Sequence, residues 1–254
     1  MKQLVETTPS TNTLLENMIS NGSLDCTDAE NDLFTLHTFR QTAGRGQKGN
    51  SWESEPDKNL TFSTLFQIQQ IPVEKQFLLS EMVPLAITNV LRRLLSKSEK
   101  QPEGIRIKWP NDIYFDNRKI CGILIEHSII DNKIDHSIAG IGININQTTF
   151  RSDAPNPVSL KQITHTDYDL NSVLDDVIKE FELLKPMLQQ PEKLKAEYMS
   201  RLYRAEGYFP YAGNGKRFEA CIEDIADNGM IIMKDRQGNR LQFAFKQLTY
   251  LIEF

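Results

Sequence analysis

Residues 41–52 read QTAGRGQKGNSW, and this stretch excludes two common phosphate-binding folds. Its glycines match the pattern G-x-G-x-x-G, which binds dinucleotides only where it joins a strand to a helix. Residues 33–38 predict the strand, but the polar segment 50–56 ends in a proline and predicts no helix. A pyrophosphate would therefore find no helix N-terminus here. Residues 44–51 also resemble a P-loop, but the lysine that contacts the phosphates is missing.

The same glycine-rich loop has the composition of a segment that closes over a ligand. Three glycines within six residues allow tight backbone turns. Arg45 and Lys48 add positive charge, and Trp52 offers a flat apolar face. These groups suit an anionic, planar ligand such as a nucleotide. A loop that is simply flexible and solvated is the alternative interpretation.

A second polar cluster, Lys108-Trp109-Pro110-Asn111-Asp112, lies at the end of a strand predicted at 105–108. Its lysine, amide and carboxylate can bind phosphate oxygens and a magnesium ion, because Mg²⁺ prefers oxygen ligands. Lys119 opens a later predicted strand, in which Gly122 would let a ligand approach the backbone. The alternative is a solvated strand end for Lys108 and Lys119, and core packing for Trp109.

Two amides, Asn144 and Asn146, alternate with isoleucines at the end of a strand predicted over 138–145. Alternate residues of an extended strand share a face. Together with Gly140 and Gly142, the amides therefore predict a polar cleft. Capping of the turn that follows the strand is the alternative role for these side chains.

The periodicity of apolar residues predicts an α+β fold. Ser10 can cap a first helix, which Gly22 can end. The longest helical pattern spans 73–97, with Pro84 as an interruption or a second start. Other predicted elements are strands at 2–6, 33–38, 60–66, 105–108, 113–115, 120–126 and 138–145, and helices at 170–188 and 191–203.

After Gly207 the pattern changes to short strands separated by turns. Strands are predicted at 218–225, 230–234, 241–245 and 248–252, with turns at 227–229 and 236–239. This is the pattern of a compact all-β module. We therefore predict two domains, residues 1–205 and residues 206–254.

Composition narrows the class of protein further. The chain has 254 residues and a formal net charge of -5, which argues against a general nucleic-acid binder. Its N-terminus lacks the apolar core of a signal peptide, and no apolar run reaches the roughly 20 residues of a membrane helix. The cysteines (Cys26, Cys121 and Cys221) are far apart and no Cys or His spacing is typical of a zinc site. We expect reduced, structural thiols in a cytoplasmic protein.

Taken together, these motifs resemble those of the biotin–protein ligases. The matching segments are Ser10-Thr11-Asn12, QTAGRG (41–46), Trp52-Glu53-Ser54, KWPND (108–112), KICGILIE (119–126) and Gly142-Ile143-Asn144. They occur in the family's order and at about its spacing over residues 8–146. The resemblance implies a class II synthetase-like mixed β-sheet flanked by helices, followed by a small C-terminal SH3-like β-barrel.

The resemblance also implies roles for individual residues, with Lys119 and Arg45 as the catalytic groups. Ser10, Thr11 and Gln41 would hydrogen-bond the ureido ring of biotin, and Lys119 would contact its carboxylate and the α-phosphate. The whole biotin site would consist of Ser10, Thr11, Asn12, Gln41, Gly44, Arg45, Gly46, Gln47, Lys119 and Gly122. The nucleotide site would consist of Trp52, Lys108, Asn111, Asp112 and Asn144, with Asp112 as the metal ligand.

The activity that the resemblance implies is formation of biotinyl-5′-AMP from biotin and ATP, with Mg²⁺ as the metal. Biotin would then pass to a lysine of a biotin carboxyl carrier protein. A lipoate or octanoate ligase and a non-catalytic biotin sensor are the alternatives. Other members dimerise through the sheet of the catalytic domain, so a homodimer is expected. The chain begins at the first strand of that domain, and we expect a ligase without a DNA-binding repressor domain.

Two positions depart from the family pattern in the glycine-rich loop. Many members carry a basic residue directly after Gly-Arg-Gly and an arginine shortly before the tryptophan, where this chain has Gln47 and Asn50. Two charge-assisted contacts to the adenylate would then be missing. Retention of the intermediate would depend on Arg45, Lys48 and Lys119.

Overall fold

A seven-stranded mixed sheet forms the centre of the computed structural model, which describes residues 1–47, 50–68, 71–152, 154 and 156–252. Its strands are β1 (Lys2–Leu4), β2 (Thr35–Thr38), β3 (Leu60–Phe66), β4 (Ile105–Lys108), β5 (Asp112–Phe115), β6 (Arg118–Ile130) and β7 (Lys133–Ile143). They are hydrogen-bonded in the order β1-β2-β3-β7-β6-β5-β4. β1 and β2 are parallel, whereas each later pair of neighbours is antiparallel.

Five α-helices flank this sheet. They are α1 (Thr11–Ser20), α2 (Phe77–Lys97), α3 (Leu160–Thr164), α4 (Leu170–Leu184) and α5 (Pro191–Ser200). Short 3₁₀ turns lie at Ala29–Asn31, Val73–Lys75, Pro102–Gly104 and Lys185–Gln189. Helix α2 runs without a break through Pro84, so the predicted interruption or second start at this proline is wrong.

The central strand β3 separates two hydrophobic cores, because all seven of its residues are buried. Side chains such as Phe62 and Phe66 pack into the larger core, which contains the buried face of α2. Leu65 points to the other face and packs with Leu15 of α1. A strand buried on both faces explains why its sequence contains only apolar residues and small hydroxyl residues, with no charged side chain.

A second, five-stranded antiparallel sheet follows α5. Its strands are β8 (Phe209–Gly213), β9 (Lys216–Ile225), β10 (Ile231–Asp235), β11 (Arg240–Phe243) and β12 (Leu248–Tyr250). Hydrogen bonding follows the order β11-β10-β9-β8-β12. Gly229 and Gly238 have positive φ angles in two of its turns, as the turn predictions required.

The structure confirms the predicted α+β class, with a mixed sheet flanked by helices and an all-β segment at the C-terminal end. Closure of the second sheet into an SH3-like barrel and the domain boundary at residue 205 stay predictions. β8 was not predicted, because Pro210 removes a backbone donor and argues against a strand. In the described part of the chain, no helix is both long enough and apolar enough to cross a lipid bilayer.

Candidate active site

Glycines replace larger side chains on the face of the central sheet that α1 covers. Gly122 of β6 is paired with Gly142 of β7, and Gly140 lies two residues before it. The indole of Trp52 lies against Gly122 and Gly142, where a Cβ atom would collide with the ring. At Gly140 a Cβ atom would collide with the amide of Asn12. These glycines form a flat floor on which the Trp52 indole and the Asn12 amide can lie close to the sheet.

The N-terminus of α1 supplies a polar end to this floor. Ser10 caps the helix, and its hydroxyl accepts a hydrogen bond from the first turn. The backbone N–H of Thr11 donates to Oε1 of Gln41 at 3.0 Å. On the buried strand β3, the hydroxyl of Ser63 lies 2.7 Å from that of Thr11 and donates to the amide oxygen of Asn12. The three polar residues predicted to bind the ureido ring therefore lie close together.

The glycine-rich loop folds back on itself as a short hairpin over the same floor. The Gly46 N–H donates to the Asn50 carbonyl at 2.9 Å, and the Trp52 N–H donates to the Gly44 carbonyl at 2.9 Å. No helix follows within the fully described residues 50–59. This geometry agrees with the rejection of a dinucleotide-binding helix at this loop.

Both predicted catalytic cations form ion pairs with carboxylates beside the cavity. Nη2 of Arg45 lies 3.6 Å from the carboxylate of Glu126, and both side chains are about half exposed. Nζ of Lys119 lies 2.7 Å from Oδ1 of Asp112. Exposed pairs of this kind contribute only about 0–1 kcal/mol, so a ligand anion can displace the carboxylate from Arg45.

Lys108 lies deeper than the other two cations. Its Nζ is 4.7 Å from the ring centroid of Tyr250 and 5.3 Å from that of Tyr114. Burial lowers the pKa of Lys108, while the nearby Asp112 carboxylate opposes that shift. The aromatic rings stabilise the ammonium through cation–π contact. The alternative of a solvated strand end therefore does not describe Lys108.

The segment that follows Lys108 joins the two sheets. Trp109 is buried, and its indole N–H donates to the Gly229 carbonyl of the second sheet at 3.0 Å. The peptide bond between Trp109 and Pro110 is cis. The side-chain amide of Asn111 donates to the carbonyl of Ile123 on β6. The Trp109 side chain therefore packs in the core, which was the alternative interpretation. One edge of it also lines the cavity.

These elements enclose a cavity of about 370 Å³. Its lining includes thirteen of the fifteen residues predicted for the biotin and nucleotide sites, namely Ser10, Thr11, Asn12, Gln41, Arg45, Gly46, Gln47, Trp52, Lys108, Asn111, Asp112, Lys119 and Gly122. Gly44 is packed behind the hairpin, where a Cβ atom would lie 2.6 Å from the Trp52 carbonyl oxygen. Lys48 and Gly49 of the same loop lie outside the described residues.

Asn144 does not line the cavity, and the predicted polar face of Asn144 and Asn146 is wrong. β7 ends at Ile143, so the two amides are not on one strand face. The Asn144 amide donates to the Val158 carbonyl at 3.1 Å, and that of Asn146 donates to the Tyr168 carbonyl at 2.8 Å. Both therefore anchor the chain after the strand, which was the alternative role.

Several cavity residues were not predicted from the sequence. Five of them come from the second sheet and its last turn: Phe245, Lys246, Leu248, Thr249 and Tyr250. They were not predicted because they lie far from the motifs along the chain. Glu126 was quoted within a motif without a role, yet it accepts a hydrogen bond from Asn12 at 2.8 Å and pairs with Arg45. Ser63 carried a usable signal, as a hydroxyl within a fully buried apolar strand.

Comparison with known proteins agrees with this geometry. Residues 4–144 match the model of the biotin/lipoate A/B protein ligase family. The bifunctional ligase/repressor BirA of Escherichia coli is 29% identical over 170 residues, which cover 66% of this chain and 50% of that protein. The human biotin–protein ligase is 30% identical over 250 residues, which cover 92% of this chain and 32% of that protein.

A solved biotin protein ligase from Aquifex aeolicus, in complex with biotin and ATP, has the same fold. It superposes with a TM-score of 0.73 at 24% identity and covers 98% of this chain and 97% of its own. The family model matches more than half of the residues, so the chain belongs to the biotin/lipoate A/B protein ligase family. It spans about half the length of the Escherichia coli relative.

Proposed function

We propose that the protein is an ATP-dependent biotin–protein ligase. The observation that carries this proposal is a single cavity with a glycine floor, where Lys119 and Arg45 lie near the polar N-terminus of α1. Relatives named biotin–protein ligase and a similar fold solved with biotin and ATP support the same substrates.

The two ends of the cavity suit the two ends of biotin. The ureido ring is a compact group that donates and accepts hydrogen bonds, as do the side chains of Ser10, Thr11 and Gln41. Trp52 covers Gly122 and Gly142, so the thiophane ring and the aliphatic tail would lie beside its indole rather than on the glycines. The tail would then bring its carboxylate towards Lys119.

The first step joins two anions and therefore depends on the cations. An oxygen of the biotin carboxylate attacks the α-phosphorus of ATP, a P–O bond forms, and pyrophosphate leaves with the electrons of the bond that breaks. Lys119 would exchange Asp112 for the substrate oxygens, and Arg45 would exchange Glu126. Charge supplied by preorganised groups in a site that excludes water stabilises such a transition state.

Mg²⁺ is the metal we expect with the nucleotide, and the residues present fit it. The Asp112 carboxylate lines the same cavity as Lys108 and Asn111, and Mg²⁺ sites in proteins often have one or two carboxylates plus phosphate oxygens. Asp112, with Asn111 beside it, would hold the ion. Bound there, the metal would neutralise phosphate charge.

In the second step, the lysine amine of a carrier domain attacks the acyl carbon of biotinyl-5′-AMP. A C–N bond forms, the amine loses a proton to solvent, and AMP leaves. The residues of the enzyme need only orient the reactants and keep water from the mixed anhydride. The hairpin at 44–52 lies where it can cover the intermediate.

Two alternatives are tested in the same way. A lipoate or octanoate ligase belongs to the same family but needs an extended apolar groove rather than the polar group formed by Thr11, Gln41 and Ser63. A non-catalytic biotin sensor would bind biotin without turnover. Location in the cytoplasm, a homodimer and absence of DNA binding stay predictions.

The test is ATP–pyrophosphate exchange, followed by transfer to a biotin carboxyl carrier domain. We expect exchange that depends on biotin and is not supported by lipoate or octanoate, and then one biotin on the acceptor lysine. Exchange with lipoate alone would favour the first alternative. Biotin binding without exchange would favour the sensor.

A further inference from the structure

A second group of potential ligands lies beside α1, and none of its members lines the cavity. Cys26 follows the helix along the chain, while Asp135 and His136 are adjacent on β7. One ligand atom from each of these three residues lies within 4.8 Å of the others. Within the described residues, no other group of three such side chains meets this distance.

His136 has the geometry of a metal ligand whose orientation is already fixed. Its Nδ1 forms a hydrogen bond of 2.7 Å with Oδ2 of Asp135. Its side chain is only 7% exposed, and Nε2 has no hydrogen-bond partner among the described residues. A histidine that binds a metal commonly uses one ring nitrogen for the ion and the other for a carboxylate. An unpaired buried nitrogen is otherwise costly.

The carboxylate of Glu16 lies beside this group, although it does not meet the same distance to all three residues. Its Oε2 lies 4.0 Å from Nε2 of His136, which is too long for a hydrogen bond. Two ligand atoms on a tetrahedral zinc ion lie about 3.4–3.6 Å apart, given Zn–N and Zn–O bonds of about 2.1 Å and a Zn–S bond of about 2.3 Å. A small movement would bring Glu16 to that separation from Nε2, and its exposed side chain is free to rotate towards the Cys26 thiol.

The electrostatic environment also favours a cation. Three carboxylates, those of Asp135, Asp25 and Glu16, place negative charge near the Cys26 thiol. These carboxylates repel a thiolate unless a positive ion lies among them. A divalent cation would neutralise this charge and stabilise the thiolate as a ligand.

We propose that Cys26, His136 and Glu16 bind a zinc ion, with Asp135 holding His136 in position. A thiolate, an imidazole and a carboxylate are ligands that Zn²⁺ accepts, whereas Mg²⁺ and Ca²⁺ would not select the sulfur. Solvent would fill the fourth position.

The ion would link α1 and the segment after it to the central sheet. Glu16 lies one helical turn after Asn12, whose amide donates to Glu126 beside the cavity. The proposed site is separate from the ligase chemistry and does not depend on the proposed function.

Cobalt(II) substitution tests the site directly, because a thiolate ligand produces a charge-transfer absorption in the near ultraviolet. We expect the reduced wild-type protein to bind one equivalent of Co²⁺ with this absorption, and added Zn²⁺ to remove it. Cys26→Ser and His136→Gln should abolish the absorption, and Asp135→Asn should weaken zinc binding by about 10–100-fold. Cys221→Ser, which changes a thiol on the second sheet, is the matched control and should behave as wild type.

A wild-type protein without the thiolate absorption would overturn the proposal, as would an absorption that persists in Cys26→Ser. If a variant fails to fold, alkylation of the wild-type protein with and without zinc tests the site instead. One equivalent of Zn²⁺ should slow alkylation of Cys26 at least about tenfold and leave Cys221 unaffected. Equal rates of Cys26 alkylation with and without zinc would contradict the site.

Discussion

Arg45 and Lys119 each form an ion pair with a carboxylate before any substrate is present. The partners, Glu126 and Asp112, keep the two cations beside the cavity, and the exposed Arg45 pair is weak enough to be exchanged. In the proposed mechanism, a substrate anion would replace each of these carboxylates. This arrangement needs no large movement of either side chain.

At the same scale, we predict that Gln47 limits how firmly the intermediate is held. A neutral amide cannot form the charge-assisted contact to an adenylate that an arginine forms. We predict that Gln47→Arg lowers the fraction of biotinyl-5′-AMP released to solvent by about tenfold, in line with about 1.5–3 kcal/mol for a charged hydrogen bond. Quenched reactions without acceptor protein, analysed for free adenylate, measure this fraction.

The control is Gln67→Arg, which adds the same charge directly after β3 and outside the cavity lining. This variant should not change the release. The idea fails if the natural protein releases no more adenylate than Gln47→Arg. Lys48, which we predict to share in retention, lies outside the described residues.

At the scale of an element, three backbone hydrogen bonds hold the described part of the hairpin, residues 44–47 and 50–52. We predict that biotin plus ATP orders this segment, because its charges then face the phosphates. Limited trypsin digestion should cleave after Arg45 or Lys48 in the free protein and several-fold more slowly with both ligands. Cleavage at an equal rate in the two states would contradict closure of the loop.

Helix α2 carries a carboxylate that makes the fold sensitive to pH. Glu81 is buried, and one of its oxygens has no hydrogen-bond partner in the described chain. Burial raises the pKa of Glu81 to about 8 from 4.5. Between these two values the folded protein binds more protons than the unfolded chain, so the free energy of unfolding falls as pH rises.

We therefore predict that Glu81→Gln removes much of the loss of stability between pH 5 and pH 8. The loss removed between pH 5 and pH 8 should be on the order of 3–4 kcal/mol, since the shift of the Glu81 pKa spans most of this range and one pKa unit corresponds to about 1.4 kcal/mol. Urea denaturation at both pH values measures it. Glu182→Gln, at an exposed position of α4, is the matched control and should keep the wild-type pH dependence. If the free energy of unfolding of Glu81→Gln depends on pH as in the wild type, the prediction is wrong.

Local patterns predicted most elements but not where strands end. Residues 60–66 and 105–108 were predicted with the bounds the structure has, because aromatic and β-branched residues in the first strand and alternate isoleucines in the second favour extended structure. β6 and β7 extend to a turn at 131–132 that separates them, where polar residues concealed the long hairpin. For the same reason Asn144 was placed on a strand that ends one residue earlier.

At the scale of the whole molecule, the cavity is completed by the second sheet. Phe245 packs edge-on against Trp109, with ring centroids 6.3 Å apart, and lines the cavity near Lys108. We predict that Phe245→Ala raises the KM for ATP about fivefold and leaves that for biotin nearly unchanged. Losing one partly exposed aromatic contact of about 1 kcal/mol corresponds to this factor.

Tyr208→Ala is the control for Phe245→Ala, because Tyr208 is also an exposed aromatic residue but contacts Arg236 away from the cavity. Initial rates of pyrophosphate exchange at varied ATP and biotin separate the two KM values. If Phe245→Ala raises the KM for ATP and the KM for biotin equally, Phe245 has no specific role at the nucleotide end of the cavity.

The sequence predicted the site residues that lie in short motifs. It did not predict the residues that only the tertiary fold brings to the cavity. Arg45, Lys119 and Asp112 belong to motifs whose charges indicated an anionic ligand. Tyr250, by contrast, is brought to Lys108 by packing between two sheets. Cys26 and His136 were taken as unrelated for the same reason, since spacing along the chain says nothing about a pair so far apart.

The most direct test of the central claim is biotin-dependent ATP–pyrophosphate exchange in the wild type, Lys119→Ala and Lys161→Ala. Lys161 is a matched control, because it pairs with Asp167 at the surface and lies outside the cavity lining. The account predicts full exchange in the wild type and Lys161→Ala, and a loss of at least about a hundredfold in Lys119→Ala. Wild-type exchange by a folded Lys119→Ala protein would contradict it.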